Sequence, residues 1–293
     1  MKKLLVTGIS GFVASHFATI KSSTYEIVGT YRTRSIVNHG MNCFAVDWSE
    51  VAAAEQFFKQ QKPDAVLHLA ALSNPNYCEQ HPAASQAVNV DVAVHLAKLC
   101  QQAQIPFLFS STDLVFDGKK APYGEEDLAE PICVYGQHKL QAETEILSLY
   151  PASIIARLPL MFGWSTQGGF MKNWIDQLKA GKTIAAFTDE YRTPVSAGCA
   201  LQGMLLLLEN ACTGRWHLGG EESISRYDLA KLIAQAYGLP TELLQASLQK
   251  EVQLPAARPP NVSLDSKKAF ALGYQPKKIN AALQELATQA KRY

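Results

Sequence analysis

A short apolar segment followed by a glycine turn stands at the start of the chain. Lys2–Thr7 is typical of a buried strand, the turn Gly8-Ile9-Ser10-Gly11 follows directly, and a helix is predicted over 15–20. A strand, a glycine turn and a helix in this order form the context that a dinucleotide-binding loop requires. The same turn could also be purely structural, so the loop alone does not establish a cofactor.

The small residues of this turn have distinct expected roles. Gly8 would permit the tight turn, and Gly11 would let the backbone approach a pyrophosphate. Ala14 would allow close packing of the helix on the strand, while the helix N-terminus supplies N–H donors. The spacing is G-x-x-G-x-x-A, a variant of the more familiar G-x-G-x-x-G. These features predict phosphate binding at the end of the first strand.

Apolar strand-like segments alternate with helical segments through the first half of the chain. Further strands are predicted over 25–31, 43–47, 64–71 and 105–110, and helices over 50–61 and 83–104. This alternation favours an α/β fold with a Rossmann-type, doubly wound parallel sheet. We predict an NAD(P)-binding domain over 1–160 that also receives segments from about 190–215. A smaller, interleaved α/β substrate lobe is predicted over 161–293.

Tyr135 and Lys139 stand four residues apart in a helical segment that follows the predicted fifth strand. Positions i and i+4 lie on one helix face, so the phenol and the ammonium could share a site. A nearby positive charge lowers the pKa of a tyrosine from its ordinary value of about 10, which suits proton transfer to a substrate oxygen. A Thr112 hydroxyl could hold the same oxygen. The spacing also occurs by chance on exposed helices.

The end of the second strand bears on the choice of cofactor. A carboxylate there would favour NAD, whereas an arginine can hold a 2′-phosphate. The chain has Arg32 and Arg34 and no acid at this point, which favours NADP(H) while leaving NAD(H) open. Both arginines could instead be solvated loop residues. Asp47 could approach the adenine or cap the helix that follows.

Composition and charge exclude several classes of protein. The net charge of +1 gives no electrostatic case for nucleic-acid binding. No run approaches eighteen apolar residues and the start lacks a signal-peptide profile, so neither a membrane span nor export is expected. Six cysteines lie scattered without C-x-x-C spacing or histidine pairing. They indicate reduced thiols in a cytoplasmic protein and no metal site.

Several motifs occur in the order seen in extended short-chain dehydrogenases/reductases: the glycine turn, His68-Leu69-Ala70-Ala71, Asn89, Ser110-Ser111-Thr112 and Tyr135-x-x-x-Lys139. A second set resembles dTDP-4-dehydrorhamnose reductases and related sugar-nucleotide reductases. Its members are the segments 111–118, 157–159, 189–194, 216–220 and 258–261, with Leu264-Asp265. The resemblance covers essentially the whole chain.

The resemblance implies roles for the site residues. Tyr135 would protonate the sugar C4 oxygen as hydride arrives, Lys139 would bind the nicotinamide ribose and lower the Tyr135 pKa, and Thr112 would hydrogen-bond the reacting carbonyl. Asn89 would either shape the site or hold helix to sheet. The expected cofactor-binding residues are Gly8, Ser10, Gly11, Phe12, Val13, Arg32, Asp47, Trp48, Leu69, Ala70, Ala71, Tyr135 and Lys139.

The substrate side is expected to involve Asp113, Arg192 and Arg258. A guanidinium grips a diphosphate in bidentate fashion, although Arg192 could equally form a structural salt bridge. Asp113 would orient the substrate or the backbone, or simply cap a turn. Leu114 departs from the resembled families: reductases usually have tyrosine there, and sugar-nucleotide dehydratases have glutamate. Elimination needs both carboxyls, so a dehydratase is disfavoured.

The leading hypothesis is therefore an NAD(P)H-dependent reductase of a 4-keto-deoxysugar nucleotide, an oxidoreductase acting in carbohydrate biosynthesis. A sugar-nucleotide 4-epimerase would use the same Tyr135, Lys139 and Thr112 but retain NAD. A third hypothesis is a nucleotide-bound regulatory subunit resembling the methionine adenosyltransferase beta subunit. The helix that carries Tyr135 could pair with its copy in a homodimer or face solvent.

Overall fold

A seven-stranded sheet forms the centre of this computed structural model, which describes residues 1–18, 24–33, 41–165 and 169–290. Arg34 and the end of the helix predicted over 15–20 lie outside the described residues. The described strands are, in chain order, β1 (Lys2–Thr7), β2 (Tyr25–Tyr31), β3 (Asn42–Ala45), β4 (Ala65–His68), β5 (Phe107–Thr112), β6 (Ile154–Leu158), β7 (Met161–Phe162), β8 (Ile184–Phe187), β9 (Tyr191–Arg192), β10 (Val195–Ser196), β11 (Gly214–His217), β12 (Ile224–Ser225) and β13 (Leu244–Ser247).

The order of the central sheet is β3-β2-β1-β4-β5-β6-β11, and each neighbouring pair is parallel. The chain moves outward from β1 to β3 and then returns to the other side of β1 with β4. Ligands of open parallel sheets bind outside the carboxyl ends of the strands, at this reversal. The Rossmann-type, doubly wound fold predicted from the sequence is confirmed.

Helices cover the sheet and build the second half of the chain. The described α-helices are α1 (Val51–Gln61), α2 (Pro75–Gln80), α3 (Pro82–Gln86), α4 (Val92–Ala103), α5 (Val134–Leu149), α6 (Phe170–Lys179), α7 (Ala197–Glu209), α8 (Arg226–Ala236), α9 (Lys267–Leu272) and α10 (Ile279–Ala290). A π-helical turn, Ala87–Asp91, joins α3 to α4, so the predicted long helix is continuous but locally widened.

Two elements differ from their predicted form near the site. The helix after the glycine turn is a short 3₁₀ helix, Ala14–Ala18, and Ser15 Oγ donates to Phe12 O there. Such side-chain to backbone bonds compete with regular helix. Strand β5 begins after Pro106 and runs on to Thr112, because Ser111 and Thr112 still pair with β6. The hydroxyl residues therefore end the strand itself.

The two faces of the sheet carry separate apolar cores. Successive β1 residues Leu4 and Leu5 point to opposite faces, as strand alternation requires. One face packs against α7 through residues such as Met204. The other packs against α1, α4 and α5 through residues such as Phe58 and Leu96. The sheet is thus buried on both sides, which fixes the positions of its strand ends.

The second half of the chain forms smaller apolar clusters beyond the carboxyl ends of the strands. One cluster joins α6, α8 and α10, and another packs β8 and β13 against α6 and α8. Strand pairs β7/β10, β9/β12 and β8/β13 connect these helices to the sheet. The division into domains at residue 160 stays a prediction. In the described part of the chain, no helix has the length and apolar character needed to cross a bilayer.

Candidate active site

A large cavity and a narrower crevice open at the carboxyl ends of the central strands. The cavity has a volume of about 740 Å³, and the crevice about 260 Å³. The segment that follows β4 lines both, with 69–72 on the crevice and 73–76 on the cavity. A ligand in the crevice and a ligand in the cavity would therefore meet along this segment.

The glycine turn forms one wall of the crevice. Gly8 has φ +69°, and a Cβ there would lie 2.8 Å from the Ala70 backbone. Only glycine fits this conformation and this approach. Gly11 N donates to Gly8 O at 2.8 Å, which closes the turn. Gly8, Ser10, Gly11, Leu69, Ala70 and Ala71 all line the crevice, so most of the predicted phosphate-side residues are brought together.

The opposite end of the crevice holds Arg32, Asp47 and Trp48. Trp48 is buried and its Nε1 donates to Thr30 Oγ1 at 2.9 Å. Asp47 accepts bonds from the Ser49 hydroxyl and N–H, which lower its pKa, and the nearby Arg32 adds to that effect. Asp47 thus stabilises the turn before α1 and also faces the crevice. The shape and donors of this crevice fit a dinucleotide.

Four predicted cofactor residues do not line the crevice: Phe12, Val13, Tyr135 and Lys139. Phe12 packs its ring near Gly169 and His16, and Val13 packs against the apolar core beneath the turn. Their places in the resembled motif are consistent with backbone contact, and their side chains serve packing. The role of each toward a cofactor stays a prediction.

Thr112 and Tyr135 lie together on the wall of the large cavity. Thr112 ends β5, where its Oγ1 accepts a bond from Leu114 N at 3.2 Å and donates to Asp113 Oδ1 at 3.2 Å. Tyr135 is on the first turn of α5 and is only 7% exposed. Strand β5 and helix α5 therefore bring a hydroxyl and a phenol to one point of the cavity.

The pKa of Tyr135 is higher than predicted from the sequence. Burial raises it above the ordinary value of 10.0, and Asp113 adds to the increase while the Thr112 hydroxyl acts in the opposite direction. Burial dominates the shift, so the pKa is raised and not lowered as the sequence predicted. The effect of Lys139 on this pKa stays a prediction. Tyr135 is therefore protonated at neutral pH.

Lys139 is buried behind the cavity wall and is not among the residues that line either opening. Its ammonium lies 3.9 Å from the centroid of the Phe109 ring, a cation–π contact. Burial lowers its pKa to about 7, and the carboxylate of Glu143, one turn further along α5, acts in the opposite direction. Lys139 is consequently poised between its charged and neutral forms near neutral pH.

Asp113 and Arg192 meet on the far side of Thr112. Arg192 Nε lies 3.4 Å from Asp113 Oδ2, and Arg192 Nη2 lies 3.1 Å from Glu190 Oε1. Burial raises the pKa of Asp113 to about 6, with Arg192 opposing the shift. Arg192 thus forms the structural salt bridge that was one of its two expected roles, while also lining the cavity.

The cavity wall contains a further arginine that the sequence did not single out. Arg226 is the first residue of α8 and lines the cavity together with Arg192 and Arg258. Ser225 caps this helix by accepting a bond from Asp228 N. The exposure of Arg226 to the cavity depends on packing against another helix.

Asn89 acts as a brace for the segment that lines both openings. Its Oδ1 accepts from Leu72 N at 2.9 Å, and its Nδ2 donates to Leu72 O at 3.0 Å. The residue is buried on the π-helical turn and faces neither opening. It shapes the site through the backbone. Among the described residues, no three His, Cys, Asp or Glu side chains group as metal ligands.

Comparison with known proteins gives a consistent family. A family model described as "RmlD substrate binding domain" matches residues 1–292. The chain is 30% identical to a probable low-salt glycan biosynthesis reductase, Agl14, of Haloferax volcanii, over 89% of this chain and 88% of that protein. It is 27% identical to methionine adenosyltransferase 2 subunit beta of Danio rerio, over 93% and 85%. It is 28% identical to dTDP-4-dehydrorhamnose reductase of Aggregatibacter actinomycetemcomitans, over 99% and 100%.

Solved structures with the same fold include two from this group. A hypothetical dTDP-4-dehydrorhamnose reductase from Sulfolobus tokodaii matches with a TM-score of 0.82 and 30% identity, covering 95% of this chain and 98% of that chain. The dTDP-4-dehydrorhamnose reductase of Bacillus anthracis, solved in complex with NADP, matches with a TM-score of 0.88 and 20% identity, covering 98% and 99%.

Proposed function

The chain belongs to the RmlD substrate binding domain family, within the extended short-chain dehydrogenases/reductases, and from that premise we propose that it reduces a 4-keto-deoxysugar nucleotide. The observation that carries this proposal is the meeting of Thr112 and Tyr135 on a cavity that adjoins a dinucleotide crevice. A keto sugar in the cavity would face a cofactor in the crevice. A cytoplasmic location and pairing of two copies stay predictions of this proposal.

Tyr135 is the proposed proton donor. Because burial keeps its phenol protonated, it can donate a hydrogen bond to a carbonyl oxygen and release the proton as negative charge develops there. Thr112 would hold the same oxygen from the other side. A bound nicotinamide would supply the hydride to C4.

Lys139 would support Tyr135 after proton release. Its ammonium would stabilise the resulting phenolate, an effect that grows only once Tyr135 becomes negative. With its own pKa lowered by burial to about 7, it can also return a proton to the site near neutral pH. In this role Lys139 would affect Tyr135 mainly while the substrate is reacting.

The cofactor is proposed to be NADP(H) in preference to NAD(H). Arg32 lines the crevice at the end of β2, where a ribose 2′-phosphate would lie, and the described residues of the crevice wall provide Asp47 as their one acid. That carboxylate is already bonded to Ser49. A guanidinium that can pair with a phosphate favours NADP.

Dehydration is a poorer fit to this cavity. Leu114 follows Asp113 in the cavity wall and offers no carboxyl group. Asp113 is itself occupied by Arg192 and Thr112. Proton removal at C5 and water loss at C6 would require a second acid–base group at this position.

The test mixes purified protein with NADPH and dTDP-4-dehydro-6-deoxy-L-mannose and follows loss of the reduced-nicotinamide absorbance. We expect the wild type to oxidise NADPH, and the rate of this oxidation to be lower by roughly 10² to 10⁴-fold in Tyr135→Phe. Tyr274→Phe is the matched control, because Tyr274 is also buried but bonds to Leu218 O away from the cavity. If the wild type binds NADPH tightly but does not oxidise it in the presence of this sugar, the proposal is contradicted for this sugar.

A regulatory subunit is the second candidate, supported by the similarity to methionine adenosyltransferase 2 subunit beta. In that case the protein would bind NADPH, turn over no keto sugar and change the activity of a partner enzyme. Measuring the kinetics of a methionine adenosyltransferase with and without the protein separates the two candidates. An unchanged partner together with keto-sugar reduction favours the reductase.

A further inference from the structure

Arg226 is held in the cavity wall by aromatic rings. Its guanidinium carbon lies 4.3 Å from the Phe170 ring centroid and 4.8 Å from the Trp174 ring centroid. Its Nη1 is buried and has no hydrogen-bond partner among the described residues. Cation–π contacts fix the group without consuming its N–H donors. A buried donor left unpaired costs free energy, which a ligand oxygen would recover.

The other two arginines of the cavity are already engaged by protein groups. Arg192 lies against Asp113 and Glu190, and its Nη1 donates to Tyr191 O and Pro259 O. Arg258 donates to Ala256 O at 3.1 Å and to Asn76 Oδ1 at 2.9 Å. Arg226 differs because, among the described residues, its guanidinium packs on aromatic rings and forms no hydrogen bond or ion pair within bonding distance.

The charge of the cavity favours an anion. Among the described lining residues, three guanidiniums face two carboxylates, Asp113 and Glu190, so one positive charge is in excess. Both carboxylates lie against Arg192. Glu190 also acts on Arg226 and Arg258, so the excess positive charge belongs to the cavity as a whole.

The position of Arg226 relative to the proposed reaction centre suits an extended ligand. Arg226 N donates to Glu190 O at 2.9 Å, and Glu190 in turn contacts Arg192. Arg192 contacts Asp113, the residue after Thr112. Glu190 and Arg192 thus lie between the start of α8, which carries Arg226, and the Thr112 end of the cavity wall. A nucleotide sugar has this form, with its diphosphate several bonds away from C4.

We propose that Arg226, packed against the contacting rings of Phe170 and Trp174, binds the diphosphate of a nucleoside-diphosphate-sugar substrate. This inference rests on the proposed function and assigns the anion contact to Arg226, leaving Arg192 to position Asp113. The planar guanidinium can offer two parallel N–H donors to phosphate oxygens. Packing against the two rings holds these donors in place in advance, which reduces the entropy lost on binding.

The experiment measures binding of dTDP by isothermal titration calorimetry to the wild type, Arg226→Gln and Arg226→Lys. We expect Arg226→Gln to weaken dTDP binding by roughly 10- to 100-fold, as loss of a charged hydrogen-bond partner does. The dTDP affinity of Arg226→Lys should lie between those of the wild type and Arg226→Gln, because lysine keeps the charge but lacks the planar pair of N–H donors. NADPH, which carries its own diphosphate in the crevice, should bind all three proteins alike.

Lys231→Gln is the matched control, since it removes one positive charge from an exposed position of the same helix. Equal dTDP affinity in the wild type and Arg226→Gln would overturn the proposal, as would a wild type that binds no dTDP. If Arg226→Gln also fails to bind NADPH, the comparison is made with Arg226→Lys instead. An Arg226→Lys variant that binds dTDP as tightly as the wild type would overturn the assignment. If dTDP binding depends on Arg226 but no keto sugar is reduced, the reductase proposal is wrong and the assignment of the diphosphate site to Arg226 holds.

Discussion

Arg157 of β6 forms a two-point ion pair with Glu143 of α5 inside the protein. Arg157 Nε donates to Glu143 Oε1 at 3.0 Å, and Nη2 donates to Oε2 at 2.7 Å. The side chains are 2% and 0% exposed. Ser111 Oγ donates to the same carboxylate. The pair thereby joins the helix that carries Tyr135 to the strands that end at the site.

Replacing Arg157 by methionine should strongly destabilise the fold. The change leaves the Glu143 carboxylate buried without its main partner, and breaking such a pair costs about 3–5 kcal/mol. Urea unfolding monitored by circular dichroism measures the effect. Adding Glu143→Gln should recover part of the loss, because the buried charge is then removed. Lys59→Met breaks an exposed pair with Glu55 and should cost no more than about 1 kcal/mol. Similar losses of stability in Arg157→Met and Lys59→Met would contradict this account.

Lys139 should make stability rise with pH above neutrality. Its pKa is about 7 in the folded protein and 10.5 in the ordinary, unfolded case. Between these values the unfolded chain binds more protons than the folded one, so the free energy of unfolding increases with pH. Below about pH 7 both states are protonated and the full burial penalty applies.

The check compares urea unfolding of the wild type and Lys139→Met at several pH values between neutrality and about pH 10. The free energy of unfolding of the wild type should rise relative to that of Lys139→Met by up to roughly 1.4 kcal/mol per pH unit across this window. Lys59→Met controls for loss of a lysine from an exposed position. A constant difference between the wild type and Lys139→Met across the window would show that Lys139 does not titrate as proposed.

The sheet was predictable from sequence because its signals are local. Apolar segments such as Lys2–Thr7 are long enough to recognise, and the glycine turn after them has few other uses. The placing of Gly8 and Thr112 at strand ends follows from the same pattern. Tyr135 and Lys139 were found because a helix relates them by spacing alone.

Features that depend on distant packing were missed or reversed. The direction of the Tyr135 pKa shift was wrong because burial, which dominates it, depends on residues brought in from other elements. Arg226 reads as an ordinary helix start, and the rings that it packs against, Phe170 and Trp174, belong to α6. The contact of Arg192 with Asp113 likewise joins residues far apart in the chain.

Arg32→Ala should reduce affinity for NADPH and leave affinity for NADH nearly unchanged. Loss of a charge-assisted bond to a 2′-phosphate is expected to weaken binding by roughly 10- to 100-fold. Fluorescence titration with each cofactor measures the two dissociation constants. Lys59→Ala, a charge removed away from the crevice, should alter neither. An equal loss for both cofactors in Arg32→Ala would place the contact elsewhere on the dinucleotide.

Gly136 follows Tyr135 on α5 and lies against the turn that begins at Asp113. A Cβ at Gly136 would come within 2.1 Å of Leu114 O, and backbone cannot yield as a flexible side chain does. Gly136→Ala should therefore push the start of α5 away from Thr112. Overpacking of this kind costs about 1–3 kcal/mol, and a displacement of about 1 Å can reduce turnover by roughly 10²-fold.

Gly198→Ala provides the matched control for this change. Gly198 also lies in a helix, α7, but the nearest atom to its Cβ would be His16 Cδ2 at 4.0 Å. A Cβ at Gly198 meets no close atom, so this variant should keep the stability and activity of the wild type. Thermal unfolding and NADPH-dependent turnover are measured for both. Because the two substitutions are chemically identical, a loss confined to Gly136→Ala assigns the effect to the contact with Leu114, and a stabilised, active Gly136→Ala would disprove it.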